Sequence, residues 1–343
     1  MDNTFDPNGA AIEGSGIFGL PYFEDESEIV IIPVPWEATV SCGGGCSYGP
    51  EAILEASMYT ELFIPKFGSF YEKGIHMRPV NSRIEILNKK SKKLTRSIRK
   101  DPESNKPSLI KKRNAINALS KELYILVEQE VNSVLKSGKI PAVLGGEHSV
   151  SLGAISALNK KFPDMSVLQI DAHNDLRNNF EGFAHSHASV MRNVLSNTKV
   201  SNLVQVGIRA FCQEESEYIE QSEGRVVPFY DEDIYTKLFN NETWDSICDQ
   251  IVSNLSEHVY ISLDIDGMDP SMCPNTGTPV IGGLSFNQLQ HLLAAINKSN
   301  KSIAGFDLVE VAPVSIRNKS YENDWNAICG ARILYELCGS AIV

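Results

Sequence analysis

The 343-residue sequence lacks any run approaching the roughly 20 consecutive apolar residues that a membrane span requires. Its opening stretch, Met1 to Gly14, carries Asp2, Asp6 and Glu13 instead of the basic-then-apolar layout of a secretory leader. Both absences predict a cytoplasmic protein with no membrane partner. Cysteine is sparse and odd in number, with seven scattered at Cys42, Cys46, Cys212, Cys248, Cys273, Cys329 and Cys338, so reduced thiols are expected and a disulfide framework is not. Cys42 and Cys46 are spaced like half a zinc site, but no second Cys/His pair of matching spacing completes a tetrahedron, and they read as small residues of a tight glycine loop. Positive charge is also in deficit. The formal net charge of −12 argues against a nucleic-acid partner.

That deficit is uneven. Between Lys89 and Arg113 eleven Lys/Arg face only Asp101 and Glu103, a local +9 that leaves −21 on the rest of the chain. Pro102, Pro107, Ser91, Ser97, Ser104 and Ser108 punctuate the segment, which predicts a solvated surface insertion. No repeat of solenoid or propeller period is present.

Short, continuously apolar, β-branched runs fall at Ile29–Val34, Pro141–Leu144, Val167–Ile170, Leu203–Ile208, Val226–Phe229, Val259–Leu263 and Ile303–Val309. Continuous rather than alternating apolarity predicts strands buried on both faces, as in a parallel sheet. Helical periodicity separates them: Ile116, Leu119, Leu123, Val127, Val131 and Val134 recur at three- and four-residue steps before Gly138, and Leu289, Leu292, Leu293 and Ile296 follow Ser285, a good N-cap. Ala327 to Leu337 reads as a buried last helix. The fold class expected is α/β, a three-layer α/β/α sandwich around a mainly parallel sheet. Ligands in such folds gather beyond the carboxyl ends of the strands.

Two of those ends are crowded with acid. The third apolar run leads into Asp171-Ala-His173-Asn-Asp175, and Val259–Leu263 leads into Asp264-Ile-Asp266-Gly-Met-Asp269-Pro270. Alternate residues of an extended segment share a side, so Asp171, His173 and Asp175 form one row and Asp264 and Asp266 another. Such rows are unfavourable without positive compensation, and a metal ion supplies it. Four of the seven histidines, His148, His173, His185 and His187, lie within forty residues, with His148 in Gly145-Gly146-Glu147-His148-Ser149 after another strand. His148, Asp171, His173, Asp175, Asp264 and Asp266 are too many ligands for one catalytic ion. Two divalent cations fit, paired about 3.5–4 Å apart as in sites that generate hydroxide at neutral pH. One imidazole per ion in an oxygen-rich set suits manganese, with nickel, cobalt or iron as alternatives.

These motifs resemble those of the ureohydrolase superfamily, the arginase and agmatinase group. Pro33-Val-Pro-Trp36 and Tyr48-Gly-Pro50 resemble its opening strand and glycine-rich loop. Gly145 to Ser149, Asp171 to Asp175, Ser262 through Pro270, Thr276 to Pro279 and Gly282-Gly283-Leu284 match its metal and active-site blocks, and Gly305 to Pro313 resembles the block whose acidic residue grips the guanidinium. The resemblance implies a binuclear, usually manganese, hydrolase that cleaves a guanidino C–N bond through a metal-bridging hydroxide and releases urea. By the same resemblance His148, Asp171, Asp175 and Asp264 serve one metal or bridge, and His173 and Asp266 complete the other. Glu310 would orient the planar cation through two hydrogen bonds. His187 is the expected proton shuttle, in a Ser186-His187-Ala-Ser stretch of agmatinase-like type, with His185 the alternative.

The place where arginases read an amino acid's α-groups here holds Glu181-Gly-Phe-Ala-His-Ser-His187, which disfavours arginine and points to free guanidine or a small guanidino compound such as agmatine. Departures from the family pattern are Glu147, where many members have aspartate, the cysteine-flanked glycine loop and the basic segment. Residues 1–25 read as an N-terminal extension and 26–343 as one catalytic domain carrying a basic surface insertion at about 81–113. A homo-oligomer, trimer or hexamer, is expected by resemblance alone. Two other readings remain: a formiminoglutamase-like amidine hydrolase, for which Arg177 and Arg209 are the basic candidates, and a catalytically silent interaction subunit.

Overall fold

A computed structural model describes residues 5–12, 14–101, 104–314, 316 and 320–343. Asp2, Glu13, Pro102 and Glu103, used in the sequence reading, lie outside the described residues. In chain order the strands are β1 (Ile29–Val34), β2 (Ile75–Met77), β3 (Ile140–Gly145), β4 (Ser166–Ile170), β5 (Leu203–Ile208), β6 (Val226–Tyr230), β7 (His258–Asp264) and β8 (Ser302–Val309). The helices are α1 (Gly49–Ala56), α2 (Ser82–Ile98), α3 (Pro107–Lys136), α4 (Ser151–Lys161), α5 (Val190–Asn197), α6 (Gln213–Gln221), α7 (Asp231–Phe239), α8 (Trp244–Ser253), α9 (Phe286–Lys298) and α10 (Trp325–Ile342).

The strands form one sheet in the order β2-β1-β3-β8-β7-β4-β5-β6, and every pairing is parallel. Alternate residues of each strand enter opposite cores. Ile29, Ile31, Leu168, Ile170, Ile261 and Leu263 pack with α1, α8, α9 and α10, whereas Val30, Ile32, Val167, Tyr260 and Val309 pack with α2, α3, α4 and α5. This is the expected three-layer sandwich. Among the described residues no helix is long and apolar enough to cross a membrane.

Local signals fix the helix ends. Ser285 and Gln288 make a reciprocal capping box at α9, worth about 1 kcal/mol, and Gly138 takes φ +77° just after α3. The basic surface segment is helical. It forms α2 and the start of α3, with Ile84, Leu87, Ser91, Thr95 and Ile98 buried at three- and four-residue spacing beneath the lysines. Pro107 opens α3, where a missing N–H costs nothing, instead of interrupting structure. Thr95 Oγ1 and Arg99 Nη2 donate to the carbonyls of Ala38 and Val40, tying α2 to the loop after β1.

Candidate metal centre and active site

Four adjacent central strands, β3, β8, β7 and β4, deliver their carboxyl ends to one place. Asp264 ends β7, and the segments that follow the four strands carry His148, Glu310, Asp266, and Asp171 with His173 and Asp175. Close backbone approach makes this convergence possible. A Cβ on Gly267 would stand 2.4 Å from the amide nitrogen of Asp171, and one on Gly146 would stand 1.9 Å from the carbonyl oxygen of Trp36.

His148 is buried, and its Nδ1 faces three carboxylate oxygens: Asp175 Oδ2 at 3.0 Å, Asp171 Oδ2 at 3.1 Å and Asp264 Oδ2 at 3.4 Å. None meets it in hydrogen-bonding geometry, so Nδ1 is a buried polar atom without a hydrogen-bond partner. The opposite nitrogen, Nε2, lies 2.9 Å from Ser262 Oγ, which donates to Asp307 at 3.0 Å. An imidazole tied at one nitrogen and aimed at carboxylates with the other has the arrangement of a metal ligand. His173 Nδ1 lies 3.1 Å from Asp266 Oδ2 and 3.6 Å from Asp171 Oδ1.

Two groups able to hold a metal ion result: His148, Asp171 and Asp264, and Asp171, His173 and Asp266, the ligand atoms of each lying within 4.8 Å of one another. Asp171 belongs to both, and Asp175 stands against the first through His148. The loops are braced by their own amides. Asp171 accepts from the N–H of His173 and the side chain of Gln169, both at 2.6 Å, Asp264 from the N–H of Asp266 at 3.0 Å, and Asp266 from the N–H of Ala172 at 3.1 Å. Asp175 and Glu310 both adopt left-handed backbone, with φ +54° and +61°, strain of the kind concentrated at functional sites.

The electrostatics fit the donor set to cations. Burial, followed by the Asp171 charge, pushes the Asp175 carboxyl up to about 7. Burial, with Asp266 and Asp171, raises Asp264 well above the carboxylate range. Burial opposes charge on both imidazoles, yet the Asp171 and Asp266 carboxylates carry His173 up to about 12, and Asp171, Asp175 and Asp264 carry His148 well above its ordinary value. Protons shared among these groups balance the crowded negative charge, and divalent cations bound there would take over that role.

A cavity of about 170 Å³ opens over the cluster, lined by His148, His173, Asp264, Asp266, Glu310 and His187 among others. Glu310 Oε1 accepts the N–H of His148 at 2.9 Å, and its backbone N–H donates to Gly146 at 2.8 Å. Burial, with Glu147, pushes its carboxyl well up. His187 packs edge-on against Phe180, and burial, aided by His173 and His148, lowers its imidazole to about 3. His185 does not line this cavity.

Several contributors were given no role by the motifs, although Ser262 and Asp307 fall within matched blocks. Ser262 and Asp307 act through their pairing, Thr39 reaches His187, and Gln169 braces Asp171. Arg209, a basic candidate from the sequence, is instead spent on the carbonyls of Gly207, Asp266, Met268, Val280 and Ile281. Arg177 does line the cavity, 3.8 Å from Glu215. Cys46 is buried and Cys42 exposed, and all seven thiols are free.

A family model described as the arginase family matches residues 27–339. The chain belongs to the arginase family. An N(1)-aminopropylagmatine ureohydrolase from Synechocystis is 32% identical over 294 residues, covering 84% of this chain and 83% of that one. An agmatinase from Bacillus anthracis is 31% identical, covering 86% of both. The crystal structure of the agmatine ureohydrolase of Thermoplasma volcanium superposes with a TM-score of 0.70 at 26% identity, covering 93% of this chain and 92% of that one. As a member of the arginase family the chain is a hydrolase acting on amidino C–N bonds, with a fold shared along nearly its whole length.

Proposed function

We propose that the protein hydrolyses a guanidino C–N bond in free guanidine or a small guanidino compound such as agmatine, releasing urea. The observation that carries this reading is the pair of His/Asp groups sharing Asp171 on the floor of a cavity whose wall holds Glu310 and His187. Two divalent cations, manganese or nickel, held by His148, Asp171, Asp175, Asp264, His173 and Asp266, would supply the Lewis acidity and activated water that this carbon requires.

The chain's own residues do the rest. A guanidinium is planar and holds its charge firmly, and a carboxylate with about four lone-pair sites can accept two of its N–H groups beside the contact Glu310 makes to the His148 N–H. That grip turns the guanidino carbon toward the carboxylate cluster. His187 carries a proton from the attacking water to the leaving nitrogen. The small volume favours a small substrate. The formiminoglutamase-like alternative has one cationic side chain, Arg177, on the cavity wall, and Arg209 is committed elsewhere, so a dicarboxylate is poorly served.

Urea release by protein reconstituted separately with manganese and nickel, against guanidine, agmatine, 4-guanidinobutyrate and arginine, tests the proposal. Turnover of guanidine or a small guanidino compound supports it. No urea from any of them, with two metals bound per subunit, refutes it.

A further inference from the structure

Glu147 is fully buried and accepts five hydrogen bonds. Its Oε1 receives Trp36 Nε1, Thr39 Oγ1 and Ser149 Oγ at 3.1, 2.8 and 2.6 Å, and its Oε2 receives the N–H groups of Ala38 and Thr39 at 2.8 and 2.7 Å. Both oxygens are saturated by donors, so the carboxylate acts as an acceptor alone. The Thr39 hydroxyl has a single proton, and that proton is committed to Glu147.

The remaining face of the Thr39 oxygen meets His187 twice. It accepts the backbone N–H of His187 at 3.0 Å and lies 3.2 Å from the ring Nδ1. Two lone pairs cannot bond to each other, so Nδ1 must carry the hydrogen and donate it. Nε2 is then the bare nitrogen left to the cavity that His187 lines. The competing partner is Ser186 Oγ, 3.4 Å from Nδ1; a hydroxyl donated from there would favour the opposite tautomer.

We propose that Thr39, anchored by Glu147, is a positioning residue that holds neutral His187 as the Nδ1–H tautomer with Nε2 open to the substrate. This rests on the reading of His187 as the proton shuttle. As water adds to the guanidino carbon, its O–H proton passes to Nε2. The resulting imidazolium keeps its Nδ1–H on Thr39, whose own proton faces the Glu147 carboxylate, so the transient positive charge is screened through one hydroxyl. When the C–N bond breaks, the Nε2 proton moves to the leaving nitrogen. As the C=O of urea forms, the second proton of the attacking water leaves the tetrahedral hydroxyl and passes through Nε2 to the departing amine, so that urea and an ammonium ion leave and His187 returns to its starting form. The opposite tautomer would hold a proton on Nε2 before the reaction and leave nothing to accept the one from water.

The test is long-range ¹H–¹⁵N spectroscopy of full-length protein labelled at histidine nitrogen and loaded with diamagnetic zinc, with His187→Asn identifying the resonance. His187 should be the Nδ1–H tautomer in the wild type, Thr39→Ser and Ser186→Ala, and should shift toward Nε2–H in Thr39→Val. In urea-release kinetics Thr39→Val should lower kcat by about 10- to 100-fold with KM moved less than about twofold, and Thr39→Ser should recover most of the loss. A wild-type His187 in the Nε2–H form overturns the proposal and needs no variant to fold. So does an unchanged tautomer and kcat in Thr39→Val, or a tautomer that flips in Ser186→Ala. Undiminished kcat in His187→Asn would instead sink the shuttle reading while the tautomer result stood, so the two failures are distinguishable.

Discussion

Ser262 of β7 and Asp307 of β8 are register partners, and the Ser262 hydroxyl donates to the Asp307 carboxylate while accepting from His148 Nε2. The pair keeps a hydrogen on Nε2 of His148 and leaves Nδ1, turned toward Asp171, Asp175 and Asp264, as the nitrogen that a metal would take in exchange for a proton. Ser262→Ala and Asp307→Asn are each expected to weaken metal affinity by about 10- to 100-fold, without touching a ligand. Competition against a chelator of known affinity measures this, and wild-type affinity in both variants would contradict the assignment.

His173 and Asp266 serve only the second group. Asp266→Ala or His173→Ala should abolish urea release and bring bound metal below two ions per subunit, counted by elemental analysis against protein concentration. Full activity in either variant is incompatible with two cooperating ions.

Glu310 is assigned to substrate and not to metal. Glu310→Gln should keep the metal content of the wild type and lose activity by two orders of magnitude or so, because a neutral amide offers one acceptor oxygen to a cation that needs two charged ones. Loss of metal in this variant would show that the two roles overlap.

Metal uptake should be pH dependent with a definite sign. Protons and cations compete for the same atoms, and in the metal-free protein burial and the Asp171 charge hold the Asp175 carboxyl at about 7 while neighbouring carboxylates keep His173 protonated. Binding therefore releases protons, and apparent affinity should rise as pH rises through 7 and fall below it. Calorimetry in buffers of different ionisation enthalpy counts the protons. Affinity that is flat from pH 6 to 8 would exclude Asp175 and the imidazoles as ligands.

Seven of the eight strands were legible because each is a continuous apolar run, and the parallel sheet followed from that continuity. The three residues of β2, Ile75 to Met77, are too few to show a pattern. The helix α2 is masked in the sequence by the charge run that covers it: its buried stripe uses Ser91 and Thr95 alongside Ile84, Leu87 and Ile98, and small hydroxyl residues do not register as apolar. The gathering of the acidic strand ends was legible because a strand end projects alternate residues to one side, so local spacing carries the placement of Asp171 with His173 and of Asp264 with Asp266. Thr39, Ser262 and Asp307 were not, because their roles depend on which strands and loops become neighbours. One signal was available: Ser262 and Asp307 are polar residues inside otherwise apolar strands, and a buried polar atom needs a partner.

Asp171 stands in both groups of the metal cluster. The two positions therefore cannot drift apart in evolution by any change at that residue, since losing it disables both at once. A lineage moving from a paired to a single-ion site would have to pass through an unshared member: His173 or Asp266, whose loss leaves His148, Asp171 and Asp264 intact, or His148 or Asp264, whose loss leaves Asp171, His173 and Asp266 intact.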